Sequence, residues 1–147
     1  MYFRGRVRKS GRYAPPRGVR LPRKMKFEPA LPTASGVRVR SRYEQRCADF
    51  LFSNNIRFQY EPLLLLGGRK YRPDFFLPTY NLFVEICGFG HQPYYRDRVR
   101  KKKQIYQKHE LATVFIAYNG RGSLEDLIKK SLEPYGMPFT GEGQSPI

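Results

Sequence analysis

Tryptophan is absent from this 147-residue chain, and cysteine occurs only twice, at Cys47 and Cys87. Two cysteines are too few for a disulfide framework, and they lack the spacing of a metal finger. No apolar run approaches the ~20 residues of a membrane span. No apolar stretch follows the charged N-terminus, as a secretory leader requires. These absences point away from secretion and toward a reducing compartment: the cytoplasm, or the host-cell cytoplasm for a phage-encoded chain. Acids are scarce as well. Twelve Asp and Glu face 28 Lys and Arg, which leaves a net charge of +16.

What is present bounds the rest. An apolar fraction of 40% suffices for the core of one domain. With 11 Tyr and 11 Phe, that core is expected to be aromatic-rich. A pI near 10.2 exceeds what solubility requires. Such a field attracts polyanions through counterion release, and nucleic acid is the expected partner. An acidic membrane surface is the weaker alternative, because no long basic amphipathic helix has a strong apolar face.

The charge is uneven. Residues 1–40 hold 12 Arg or Lys, five prolines and a single acid, Glu28. Such a segment buries too little apolar surface to offset the entropy of ordering. Residues 1–36 therefore read as a basic, Pro/Gly-containing arm, disordered alone, with Arg4, Arg6, Arg8 and Lys9 as phosphate contacts. A second cluster, "YYRDRVRKKKQIYQK", spans 94–108. There Arg96, Arg98, Arg100, Lys101 and Lys103 are interleaved with Tyr94, Tyr95 and Tyr106, a pattern that suits backbone and base contacts.

Residues 37–132 carry the periodic patterns of a folded domain. Ser41 and Glu44 form a capping-box signal for a helix to about Ser53. "IRFQYEPLLLL" reads as a strand to Leu66, Gly67-Gly68 as a hairpin turn, and "RKYRPDFFL" as the return strand. "LFVEICG" suits a central strand. The basic stretch from Pro93 to Lys108 is helical, with Tyr95, Val99, Lys102 and Tyr106 on one face. "ATVFIAY" is a buried strand, and Ser123 caps a last helix, "LEDLIKKSL". A three-strand meander followed by a helical crossover predicts a mixed α/β sheet flanked by helices. Residues 133–147, rich in Pro and Gly, are expected to be an irregular tail.

Two acids, Asp74 and Glu85, stand in apolar strands on either side of a short turn. Facing carboxylates repel, and a divalent cation removes that penalty. Hard oxygen ligands suit Mg²⁺ or Mn²⁺. An ion held there polarises a phosphodiester and activates water.

Pro73-Asp74 followed by Glu85-Ile86-Cys87, behind a helix bearing Glu44, resembles the PD-(D/E)XK nuclease superfamily. The likeness covers roughly residues 37–118 and is greatest to phage junction-resolving endonucleases and related small phage or transposon nucleases. The resemblance implies a restriction-endonuclease-like fold and metal-dependent endonuclease activity on DNA, including branched or structured DNA, and homodimers by analogy. It implies Asp74, Glu85 and the carbonyl of Ile86 as metal ligands, with Glu44 completing or supporting the site. For Glu44 the helix cap is an equally good explanation.

Cys87 departs from the pattern, which has Lys there. Either the cation comes from the next helix, where Lys102 is the favoured residue and Lys103 the second, or the fold is catalytically dead. A dead fold would serve as a nucleic-acid-binding module, such as an RNA-binding subunit of a ribonucleoprotein or packaging assembly. His91 and Gln92 read as loop residues.

Overall fold

The structure, a computed structural model, describes residues 28–88, 93–137 and 139, together with the backbone pairing of two short strands in the basic arm. Those strands are β1 (Arg6–Val7) and β2 (Tyr13–Ala14), antiparallel to each other. Arg4, Arg8, Lys9, His91 and Gln92, and the side chains of Arg6 and Tyr94, lie outside the described residues.

The first helix, α1 (Arg42–Ser53), begins where its cap predicts. Ser41 is extended, and its hydroxyl accepts the Glu44 N–H at 3.2 Å. Cys47, Ala48 and Leu51 form its buried stripe. The helix stops at Asn54, and Asn55 then turns left-handed at φ 59°, a conformation that Asn tolerates.

Four strands build the main sheet in the order β3 (Gln59–Tyr60), β6 (Phe75–Leu77), β7 (Leu82–Cys87), β8 (Thr113–Ala117). The first three are antiparallel, and β7 pairs with β8 in parallel. Helix α2 (Pro93–Lys108) makes the crossover between β7 and β8. Helix α3 (Leu124–Leu132) follows, with the Ser123 hydroxyl accepting the Asp126 N–H at 3.0 Å. The fold is mixed α/β, as the element order predicts.

The meander is not continuous. The segment read as one strand to Leu66 is two, and its return is also two. β4 (Leu64–Leu66) and β5 (Arg69–Tyr71) form a separate two-stranded hairpin. Pro62 and Pro73 stand at the two breaks and have no N–H to give a ladder. Glu61 is left-handed at φ 49°, and its N–H goes to the Asp74 carbonyl at 2.9 Å. The Arg40 guanidinium clamps that kink through both Glu61 oxygens, at 2.6 and 3.1 Å. At the hairpin tip, Gly67 and Gly68 both have positive φ, 58° and 80°. That pair is the signature of a type I′ turn.

Alternation along β7 and β8 divides the core. Val84, Val114, Ile116 and Tyr118 join Cys47, Ala48, Leu51, Leu124, Ile128 and Leu132 in one apolar cluster under α1 and α3. Residues of opposite parity, Glu85 among them, turn toward α2. The segments flanking this domain also pack on it. Leu31 bridges Val39, and Met137 and Phe139 are buried, with Phe139 5.4 Å from the Phe50 ring. The folded unit thus reaches past 37–132 on both sides.

Candidate active site

The ladder register sets the two acids against each other. Phe75 pairs with Val84, so the next step outward places Asp74 opposite Glu85. Asp74 lies just before β6, and its Oδ2 accepts the Ile86 N–H at 2.7 Å. One carboxylate is thus fixed to the backbone beside the other.

Glu85 is 5% exposed and is the only charged residue in the buried set among the described residues. A buried charge needs partners. Lys102 Nζ donates to Oε1 at 3.0 Å, and the Tyr106 hydroxyl donates to Oε2 at 2.8 Å. Both donors come from one face of α2, the face on which the sequence aligns Tyr95, Val99, Lys102 and Tyr106. Those four are half-buried or buried, while Arg96, Arg98, Arg100, Lys101 and Lys103 are exposed. Lys102 is therefore the cation that reaches Glu85. Lys103 instead sits 5.3 Å from the Phe115 ring centroid, and Arg100 pairs with Asp97 at 2.9 Å.

Glu44 approaches from the first turn of α1. Its Oε1 accepts the Tyr60 hydroxyl at 2.6 Å and the Arg40 N–H at 3.1 Å. These bonds secure the start of the helix, with the backbone bond one residue before the usual capping box, and neither goes to Asp74 or Glu85. Tyr60 is a member of this cluster that the sequence did not single out. Its only signal was an aromatic at the end of an alternating strand.

The electrostatics are unbalanced. The Asp74 carboxyl is pushed well above the usual carboxylate range, first by burial and then by the charges of Glu85 and Glu44. The Ile86 N–H and Lys102 pull the other way but do not win. Burial likewise pushes the Cys87 thiol up, to about 11, with Glu85 and Asp74 adding to the effect. Cys87 is thus a neutral thiol at pH 7 and supplies no charge at this position. Behind it, Gly88 lets the Tyr43 ring close over the strand end, since a Cβ there would meet Tyr43 Cε2 at 3.0 Å.

The donor set can be tested against a divalent ion. Among the described residues, no group of three or more His, Cys, Asp and Glu side chains is arranged to hold a metal. Asp74 and Glu85 with a backbone oxygen at Ile86 draw on only two such side chains, and Glu44 remains on its own hydrogen bonds. An under-neutralised carboxylate pair still fits a hard cation, because that cation removes the penalty Asp74 carries. One open cleft of about 700 Å³, lined by Tyr118, Arg121, Ser123, Asp126 and Lys130 among others, includes none of these acids.

Comparison of the chain with protein-family models, with curated proteins and with solved structures gave no match. No described helix is long and apolar enough to cross a membrane.

Proposed function

We propose that this protein is a metal-dependent endonuclease of PD-(D/E)XK type, with a restriction-endonuclease-like fold, that hydrolyses phosphodiesters of DNA. The observation that carries this reading is the meeting of Asp74, Glu85 and Lys102, from three elements, on one side of the sheet. Asp74 and Glu85, with the Ile86 carbonyl, would hold Mg²⁺ or Mn²⁺. The bound ion would supply Lewis-acid activation of the phosphate and of the attacking water. Asp74 is oriented by the Ile86 N–H, and Tyr106 fixes the Glu85 rotamer. Lys102, coming from α2, supplies the positive charge that Cys87 cannot, at the position where charge develops on phosphate. Arg96, Arg98, Arg100, Lys101 and Lys103 on the exposed faces of α2, with the arm's Arg4, Arg6, Arg8 and Lys9, would hold the backbone with little sequence discrimination.

A second reading is a nuclease fold that binds nucleic acid without cutting it. The observation that favours it is that both Glu85 oxygens already have partners, one in a half-buried ion pair with Lys102 and the other in a hydrogen bond from the Tyr106 hydroxyl. One assay separates the two. Supercoiled plasmid and a four-way junction are incubated with Mg²⁺ or Mn²⁺, using wild type, Asp74→Ala and Lys102→Met. Metal-dependent cutting lost in both variants supports the enzyme. Tight binding with no cutting by wild type supports the binding module. Undiminished turnover in Lys102→Met ends the relocated-cation assignment.

A further inference from the structure

The hairpin β4–β5 presents an outer face that no described residue covers. Register pairs Leu64 with Tyr71, Leu65 with Lys70 and Leu66 with Arg69. One step outward, Leu63 stands opposite Arg72. Residues opposite one another share a face, so the four leucines divide two and two. Leu64 and Leu66 are half-buried with Tyr71, whose ring meets Tyr106 at 6.0 Å. Leu63 and Leu65 turn outward and are 48% and 66% exposed, beside exposed Lys70 and Arg72. Core packing explains the inner pair and leaves the outer pair without a role.

We infer that this outer face is a wedge that contacts the bases of a nucleic-acid duplex where stacking is interrupted, at a nick, bulge or frayed end. Leucine has nothing to hydrogen-bond a base edge. It gains by inserting against a base plane, and it reaches one where a step is already open. Lys70 and Arg72 flank the leucines with the charge that a sugar-phosphate backbone needs, and the chain's +16 favours a polyanion over a second copy of itself. The hairpin is also tied to the candidate site. Tyr71 packs on Tyr106, which holds Glu85. Lys70 lies four residues before Asp74, at most ~13 Å along an extended chain. The wedge would therefore fix where an interruption sits relative to the acids. This extends the nuclease reading by naming a feature of its substrate.

The test is run in EDTA, so that binding is read without cleavage and the two proposals fail separately. Fluorescence anisotropy compares a continuous duplex with the same duplex carrying one bulge or nick. Wild type is expected to prefer the interrupted duplex by roughly tenfold. Leu63→Ser with Leu65→Ser should abolish that preference while changing affinity for the continuous duplex by less than about twofold. Leu65→Phe should retain it, which separates loss of the wedge from loss of fold. Lys70→Gln should weaken both complexes alike and reduce the salt slope by about one. A double variant that keeps the wild-type preference overturns the wedge. So does a wild-type dimer that the double variant dissociates, because the leucines then serve a protein interface. Preferential binding by a protein that never cuts sustains the wedge and sinks the nuclease.

Discussion

The two faces of the central sheet solve opposite problems with the same strands. Toward α1 and α3, β7 and β8 present Val84, Val114 and Ile116 to Leu51, Leu124 and Ile128, and the polar chemistry is left at the rim. There Arg46 grips Glu125 with two hydrogen bonds, 3.0 and 2.8 Å, where both are well exposed. Toward α2, the neighbouring residue of β7 is Glu85, sealed from water and crowded by Asp74. One face is built for stability. The other keeps charge where charge is costly, the pattern expected of a site held ready for a ligand.

Neutralising the crowded face should give the largest and most contrary effects. Asp74→Asn is expected to lower metal-dependent cleavage by at least about 100-fold. It should also make the metal-free protein more stable near pH 8, while its amide oxygen still accepts the Ile86 N–H. The sign follows from the raised carboxyl. A folded-state value above the unfolded one gives a contribution that is complete below about pH 4 and is lost as pH rises through the folded value. Urea melts of wild type should therefore weaken over that rise, and those of Asp74→Asn should not. Mg²⁺ should raise the melting temperature of wild type alone. A variant less stable than wild type at pH 8 would mean that Asp74 is a structural acid, and the contrast between the faces would disappear.

The apolar face should respond in the ordinary way. Leu51→Ala, fully buried in the cluster, should cost about 2–5 kcal/mol in chemical denaturation. Its cleavage rate per folded molecule should not change. A specific loss of activity in this variant would show that the faces are coupled.

The rim should matter least. Glu125→Gln is expected to cost less than about 1 kcal/mol, because the pair is exposed and salt screens it. The Arg46 hydrogen bonds hold the Glu125 carboxyl below its usual value. Its small contribution is thus present above the ordinary carboxylate range and is lost as pH falls through the folded value. A cost that persisted in 1 M salt would make this bridge more than a surface pair.

Legibility in the sequence followed the range of the interactions. Ser41 and Ser123 announced their helices because a cap bonds to the N–H three residues on. Lys102 could be chosen from the α2 triplet because helical spacing alone puts it beside Val99 and Tyr106. Asp74 and Glu85 could be set face to face by counting across one turn. The break at Glu61-Pro62 was harder, because "PLLLL" is as apolar as a core strand and only Pro62 and Pro73 hinted at a division. Tyr60 as a tether for Glu44, and Met137 and Phe139 as core residues, could not be assigned from local pattern, since their partners lie far away in the chain.

By itself the sequence determined the charge, the capped helices, the crossover and the pair of acids, because each depends on composition, on local spacing or on the order of elements along the chain. Only the tertiary structure decided that Glu85 is buried between Lys102 and Tyr106, that β4–β5 leaves the sheet, and that two leucines face outward. Burial and register are properties of surfaces that meet only after the chain has folded, and no local pattern encodes which partner arrives.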